Sequence, residues 1–108
     1  MQLKDKVAVV TGAAGGLGRG ISLRFAREGA RLVVCDINNA ALAALHREIV
    51  ALGTDCLAVA CDVSSSERVD AMFAQADARF GTVHILVNNA ALVPDKPHDD
   101  ERRKRHYA

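Results

Sequence analysis

A glycine-rich segment near the start of the chain stands directly between a strand-like run and a helix-like stretch. It reads Thr-Gly-Ala-Ala-Gly-Gly-Leu-Gly over residues 11–18, follows the apolar run Val7–Val10 and leads into an amphipathic stretch that opens at Leu17. Glycine lets a backbone turn tightly and approach a ligand, and a helix N-terminus offers free N–H donors with a partial positive charge. This order of elements predicts a binding site for a phosphate or pyrophosphate group.

The rest of the chain alternates apolar runs of strand length with stretches of helical period. The predicted strands are Lys6–Val10, Arg31–Cys35, Cys56–Cys61 and His84–Val87. The predicted helices are Gly16–Glu28, Asn39–Leu52 and a third from Ser65 or Ser66 to Phe80, each followed by a glycine. Most of the strand-like runs are apolar throughout, which is typical of parallel strands covered on both faces.

This alternation predicts an α/β fold, a Rossmann-type doubly wound parallel sheet of four strands in the order 3-2-1-4 with three helices. Right-handed crossovers place the first two helices on one face of the sheet and the third on the other. The fourth strand then lies at an apolar edge, and the face that carries only the third helix is the less covered one.

Composition favours a small-molecule ligand. The chain has 108 residues, half of them hydrophobic, and a net charge of +1. It is therefore expected to form one soluble globular unit that does not bind nucleic acid. No apolar stretch reaches the roughly 18 to 20 residues that span a bilayer, and the start of the chain is too polar for a secretion signal. We expect a cytoplasmic protein without a membrane partner.

The cysteines and histidines do not suggest a metal site. Cys35, Cys56 and Cys61 are odd in number, show no Cys-x-x-Cys spacing and lie in or beside apolar runs, so we interpret them as reduced, buried thiols, with a redox or metal role as the alternative. The four histidines show no metal-ligand spacing, and His84 is interpreted as part of the packing of the fourth strand.

Several nucleotide-binding classes use a glycine turn after the first strand. A P-loop is excluded because no Gly-Lys-Ser/Thr follows this turn. Methyltransferases usually place an acidic residue ahead of the turn, where this chain has Thr11. Dinucleotide binding is favoured, and a protein that binds S-adenosylmethionine or another nucleotide stays as an alternative.

Asp36 follows Gly18 by 18 residues, at the predicted end of the second strand. A carboxylate there can accept hydrogen bonds from the ribose hydroxyls of adenosine and repels the extra phosphate of NADP. Neither Gly15 nor Ile37 supplies a cation for that phosphate, so NAD is favoured over NADP. A solvated loop aspartate is the alternative.

Two further polar segments end strands at the same predicted edge. Asp62 and Val63 follow the third strand, where the carboxylate could accept the adenine amino group or form part of a structural turn. Asn88, Asn89 and Ala90 end the fourth strand, where the amides could tie neighbouring loops together. The residues alone leave both assignments open.

Taken together, Thr11-Gly-x-x-x-Gly-x-Gly18, Asp36, Asp62-Val63 and Asn88-Asn89-Ala90 closely resemble the N-terminal half of a short-chain dehydrogenase/reductase, over residues 1 to about 93. The resemblance implies a nicotinamide cofactor and hydride transfer to or from an alcohol or carbonyl. It assigns cofactor binding to Gly12, Ala13, Ala14, Gly15, Gly16, Leu17, Gly18, Asp36, Ile37, Asp62, Val63, Asn89 and Ala90.

Within that set, the resemblance gives the pyrophosphate to residues 12–17, the adenosine ribose to Asp36 and Ile37, and the adenine to Asp62 and Val63. Asn89 and Ala90 would lie beside the adenine-side ribose, with Asn88 bracing the sheet. The family usually has a glycine where this chain has Ala91. This departure puts the backbone conformation at that edge in question.

No catalytic residue is assigned. The family's serine, Tyr-x-x-x-Lys pair and helical asparagine belong to sequence beyond Ala108, and Tyr107, the one tyrosine, has no lysine four residues on. We therefore interpret the chain as the cofactor-binding half of a dehydrogenase, either truncated or one piece of a longer protein. A non-catalytic NAD-binding module or regulatory partner subunit is the alternative.

Two regions are predicted, an NAD-binding half-domain over residues 1–93 and a charged tail over residues 94–108. The tail has two prolines, an acidic triplet and four consecutive basic residues, and it resembles an insertion cut short. A solvated loop with one or two helical turns is the plain interpretation, and a nuclear-localisation or polyanion-binding patch is the alternative. We expect a homo-oligomer, or pairing through the exposed fourth strand.

Overall fold

The computed structural model describes residues 2–89, which fold into four strands and three helices. In chain order these are β1 (Val7–Thr11), α1 (Gly16–Arg27), β2 (Arg31–Asp36), α2 (Asn39–Ala51), β3 (Cys56–Ala60), α3 (Ser66–Phe80) and β4 (Ile85–Asn88). The predicted alternation is confirmed, with ends that differ by no more than one residue. The tail, Ala90 and the predicted boundary at residue 93 lie outside the described residues.

The sheet has the order β3-β2-β1-β4, and all of its pairings are parallel. Val9 in the central strand β1 lies between Val33 of β2 and Leu86 of β4. The predicted Rossmann-type topology is therefore confirmed. Because the strands run in one direction, their carboxyl ends share one edge of the sheet, where open α/β folds bind ligands.

Each face of the sheet carries its own apolar cluster. The cluster on the face of α1 and α2 consists of Ala8, Val10, Ala13, Ala26, Leu32, Val34, Leu42, Leu45, Ile49 and Cys56. The cluster on the face of α3 consists of Val9, Val33, Cys35, Val59, Cys61, Val69, Met72 and Ala76. Alternate residues of β1 and β2 thus enter opposite clusters, which explains why both strands are apolar almost throughout.

β4 is less covered than the central strands. Every residue of β1 is buried, whereas Ile85, Leu86 and Val87 of β4 are only half-buried. Within the described residues, β4 pairs with β1 alone and stands at the edge of the sheet. The expected difference between central and edge strands is thus present.

His84 fastens the amino end of β4 to β1. Its backbone N–H donates to the Val7 carbonyl at 2.8 Å, and its Nδ1 accepts the Val7 N–H at 2.9 Å. The sequence interpretation of His84 as a packing residue was therefore incomplete, because its ring supplies a hydrogen-bond acceptor to the first residue of the central strand.

Cys35, Cys56 and Cys61 are free and buried, as predicted. Burial raises the pKa of the Cys56 thiol to about 12, so the thiol stays protonated near neutral pH. The helices described between residues 2 and 89 include none that is long and apolar enough to cross a membrane.

Candidate functional site

The glycine turn connects the end of β1 to the start of α1 at the carboxyl edge of the sheet. Gly12 has a φ of 60° and Gly16 a φ of 33°, in the region that favours glycine. Between them, the Ala13 N–H donates to the Cys35 carbonyl at 3.0 Å and ties the turn to β2. As a result, α1 begins close to the carboxyl edge of the sheet.

The N-terminus of α1 differs from those of the other two helices. Its N-cap residue is Gly15, which has no side chain to offer; as in α2, no acidic residue stands in its first turn. In contrast, Asn38 accepts the Ala41 N–H at the start of α2, and Ser65 accepts the Arg68 N–H at the start of α3. The first amides of α1 and the positive end of its dipole are thus available to an anion.

Gly18 lets α1 pack closely against the turn. A Cβ at this position would lie 2.0 Å from the Gly12 carbonyl oxygen and 2.7 Å from Asn89 Nδ2. These separations are shorter than any van der Waals contact, so a larger residue requires the backbone to move. The predicted need for glycine here therefore has a steric cause.

Thr11 connects the carboxyl ends of β1 and β4. Its hydroxyl donates to Asn88 Oδ1 at 3.0 Å and accepts the Asn89 N–H at 3.1 Å. Asn89 also donates through Nδ2 to the Gly12 carbonyl at 3.3 Å. The two amides thus tie the loops together, as one of the sequence interpretations holds, and Asn89 directly supports the glycine turn.

Asp36 lies half-buried at the end of β2 beside the turn. Its Oδ2 accepts the Ala14 N–H at 2.9 Å, and its Oδ1 accepts the Asn38 N–H at 2.9 Å. A carboxylate has about four lone-pair sites, so these bonds leave capacity for hydroxyl donors of a ligand. A fixed negative charge therefore stands near the uncapped start of α1.

Two large apolar side chains near the site are exposed to solvent. Leu17 in the first turn of α1 and Ile37 after β2 are each 71% exposed. Leu17 directly follows the glycine turn, and Ile37 directly follows Asp36. The candidate site thus combines backbone donors, one carboxylate and apolar surface, which is the usual composition of a cofactor site.

Asp62 has a structural role in the turn after β3. Its Oδ1 accepts both the N–H and the hydroxyl of Ser64, at 2.9 and 2.7 Å. Val63 packs against the cluster on the α3 face. The Cys61 N–H donates to the Asp36 carbonyl at 3.1 Å and joins this turn to the end of β2. Adenine contact by Asp62 and Val63 stays a prediction.

The buried thiols beneath the site are not candidate nucleophiles. Burial, chiefly, raises the pKa of both Cys35 and Cys61, and Cys35 Sγ lies 3.6 Å from the Cys61 carbonyl, to which it donates. Protonated thiols are poor nucleophiles, so these residues fill space under the ends of β2 and β3.

The structure brings most of the predicted residues to one edge, and their ligand roles stay predictions. The glycine turn, Asp36 and Asn89 are joined by direct hydrogen bonds. Sequence reasoning did not assign positions in the site to Thr11 and Asn38. Thr11 could have been found because it is a hydroxyl residue at the end of an otherwise apolar strand, and Asn38 because it precedes a helix.

A family model described as short chain dehydrogenase matches residues 6–107. The chain belongs to the short-chain dehydrogenase family. Galactitol 2-dehydrogenase of Agrobacterium fabrum is 40% identical over 97 residues, which are 90% of this chain and 37% of that protein. The 7alpha-hydroxysteroid dehydrogenase of Escherichia coli K12 is 40% identical over 99 residues, which are 92% of this chain and 39% of the relative.

Solved structures of the family have the same fold. A short-chain dehydrogenase/reductase from Burkholderia phymatum in complex with NAD gives a TM-score of 0.77 at 37% identity, covering 80% of this chain and 31% of that one. An NAD+-bound xylitol dehydrogenase gives a TM-score of 0.82 at 33% identity, and the match covers 95% of this chain and 42% of that one. The chain thus spans less than half the length of these relatives.

Proposed function

We propose that this chain binds NAD at the carboxyl edge of the sheet, as the cofactor-binding part of an oxidoreductase that transfers hydride between NAD and an alcohol or carbonyl substrate. The observation that carries the proposal is the start of α1, where Gly15 supplies no side-chain cap and Asp36 stands across the glycine turn. Free helix amides suit a pyrophosphate, and the carboxylate suits a ribose diol.

Each part of the site has a proposed role toward the dinucleotide. Residues 12–17 hold the pyrophosphate, Asp36 and Ile37 the adenosine ribose, and Asp62 and Val63 the adenine. Asn89 and Ala90 complete the adenine-side ribose site. When bound, NAD supplies the hydride acceptor, whereas the chain's own contribution is to bind and orient it.

Preference for NAD over NADP follows from the charge of Asp36. A 2′-phosphate near that carboxylate would meet a fixed negative charge, and neither Gly15 nor Ile37 provides a cation to offset it. The two NAD-bound family structures support a nicotinamide dinucleotide as the cofactor, and the preference for NAD rests on Asp36 alone.

Calorimetric titration of the purified chain with NAD, NADP and S-adenosylmethionine tests the proposal. We expect measurable binding of NAD, at least tenfold weaker binding of NADP and no binding of S-adenosylmethionine. The Asp36→Asn variant should lose affinity for NAD and reduce the discrimination against NADP. Tighter binding of NADP than of NAD by the wild-type chain would contradict the assignment of Asp36.

We further propose that residues 1–108 hold the cofactor without catalysing the reaction. The chain's one tyrosine is Tyr107, so the Tyr-x-x-x-Lys pair of the family is not contained in residues 1–108. An assay of NADH formation with alcohols should show no turnover while NAD still binds. Robust turnover by these residues alone would overturn this part of the proposal.

Assembly and location are part of the same proposal. Half-buried β4 offers an edge through which two copies could pair, and sedimentation at several concentrations would detect such pairing. A homo-oligomer, a cytoplasmic location and the absence of a nucleic-acid partner stay predictions. A regulatory NAD-binding module remains the second candidate, because it too requires NAD binding without turnover.

A further inference from the structure

Asp36 bridges two parts of the site that are separate in sequence. The N–H that its Oδ2 accepts belongs to Ala14, in the glycine turn, and the N–H that its Oδ1 accepts belongs to Asn38, the N-cap residue of α2. Ala14 and Asp36 are 22 residues apart in the chain. One carboxylate therefore joins the turn to the start of the second helix.

The glycine turn has few side chains with which to hold its shape. Besides the Ala14 contact, it is fastened by the bond from Ala13 to the Cys35 carbonyl and by the bond from Asn89 to the Gly12 carbonyl. Beyond Ala14, Gly15 and Gly16 are exposed, and a Cβ on either would meet no atom within 4 Å. Of these three hydrogen bonds, the one between Ala14 and Asp36 lies nearest in sequence to the start of α1.

The negative charge of Asp36 makes its hydrogen bond with the Ala14 N–H stronger than a hydrogen bond between neutral backbone groups. Hydrogen bonds to ionised acceptors are about twice as strong as those between neutral groups. The same carboxylate also accepts from Asn38, which limits its own movement. A fixed, charged acceptor restricts the orientation of the Ala14 amide and, through it, the path of the chain into α1.

We infer that Asp36 is a positioning residue for the pyrophosphate as well as a ligand of the ribose: through Ala14 it holds the glycine turn in the shape that receives the anion. This second role rests on the proposed function, because it concerns the same dinucleotide. Replacing Asp36 to admit NADP therefore lowers affinity for the pyrophosphate that NAD and NADP share. A switch of cofactor at this position costs affinity for both.

Hydrogen exchange of the Ala14 amide with solvent, measured by NMR in the ligand-free protein, directly tests the hydrogen bond between Ala14 and Asp36. Loss of a hydrogen bond to a charged group should speed exchange at Ala14 by about tenfold or more in Asp36→Ala. Asp55→Ala is the matched control, because its carboxylate pairs with Arg79 at the amino end of β3 and should leave Ala14 unchanged. Unchanged exchange at Ala14 in Asp36→Ala overturns the inference.

An NAD analogue lacking both adenosine-ribose hydroxyls separates the two roles. If Asp36 acted only through those hydroxyls, its replacement by alanine would leave affinity for the analogue unchanged, or raise it by removing a negative charge. The positioning role instead predicts a loss of about threefold to tenfold. Asp36→Asn should recover part of this loss, because its amide oxygen can still accept the Ala14 N–H.

Failure of the proposed function and failure of the positioning role give different results. Wild-type protein that binds no NAD contradicts the proposed function. Hydrogen exchange at Ala14 still tests its hydrogen bond with Asp36, because that measurement needs no ligand. Urea unfolding of both Asp36 variants checks that each is folded. An affinity for the analogue that is unchanged or raised in folded Asp36→Ala overturns the positioning role even when NAD binds to the wild type.

Discussion

The three helices of this chain begin in two different ways. α2 and α3 start with side chains of their own, Asn38 and Ser65, that accept hydrogen bonds from their first turns. α1 starts at Gly15 and has no such acceptor at its N-cap. In α2 and α3 the N-cap side chain accepts one of the first N–H groups, whereas the first amides of α1 lie without such a cap at the sheet edge where the candidate site is. The difference separates the two helices whose N-caps stabilise the fold from the one that we propose to bind a ligand.

Gly18→Ala should give the largest effect, because it changes how α1 packs against the glycine turn. The new methyl group would lie 2.0 Å from the Gly12 carbonyl oxygen, so the turn and α1 must separate. We expect a loss of about 3 kcal/mol in the free energy of unfolding and loss of NAD binding. Urea unfolding and calorimetry measure the two effects, and a variant with wild-type stability and affinity would contradict the close packing.

Gly15→Asp would give α1 the kind of cap that the other helices already have. Gly15 has an extended backbone and no atom within 4 Å of a new Cβ, so the substitution fits. We expect a few tenths of a kcal/mol of added stability. We also expect at least tenfold weaker NAD binding, since the carboxylate competes with the pyrophosphate. Gly15→Asn, a cap without the charge, should lose less affinity; equal losses would show that charge is not the cause.

Ser65→Ala removes the cap of α3 and should lower the free energy of unfolding by about 1 kcal/mol, because the Arg68 N–H loses its side-chain acceptor. Affinity for NAD should stay within twofold, since Ser65 takes no part in the proposed site. Ser65→Asp is the control, because its carboxylate can still accept the Arg68 N–H, and it should lose no more than a few tenths of a kcal/mol. Equal losses in Ser65→Ala and Ser65→Asp would mean that a side-chain acceptor at this position does not stabilise α3.

Gly20→Ala should give the smallest effect and the opposite sign. Gly20 lies inside α1, where a Cβ would meet no atom within 4 Å, so alanine adds helix propensity without a clash. We expect about 0.8 kcal/mol of added stability. Together with Gly18→Ala, the variant separates the general cost of glycine in a helix from the steric need for it. A destabilised Gly20→Ala would indicate that α1 has a crowded neighbour at this point.

Local patterns were sufficient to predict the fold. The apolar runs of β1 and β2 fix strands buried on both faces, and the glycines that follow the helices mark their ends to within a residue or two. The glycine turn and Asp36 were found because their spacing has a chemical reason. Such features depend on a few neighbouring residues, which a sequence displays directly.

The hydrogen bonds that join the strand ends around the site could not be predicted in the same way. Whether Thr11 meets Asn89 depends on the register of β1 against β4, and a shift by one residue would turn every side chain of β4 to the other face. The acceptor role of His84 toward Val7 has the same origin. Contacts between residues so far apart in sequence require the pairing itself to be known.

The strand order also has a consequence for how the chain folds. β1 and β2 are adjacent in both sequence and space, so the bond between Ala14 and Asp36 closes a short segment of 22 residues. The hydrogen bonds that join Thr11 and Gly12 to the end of β4 close segments of 77 and 78 residues, which costs more chain entropy. We expect the turn and Asp36 to come together early. The docking of β4 would then be the late step that completes the site.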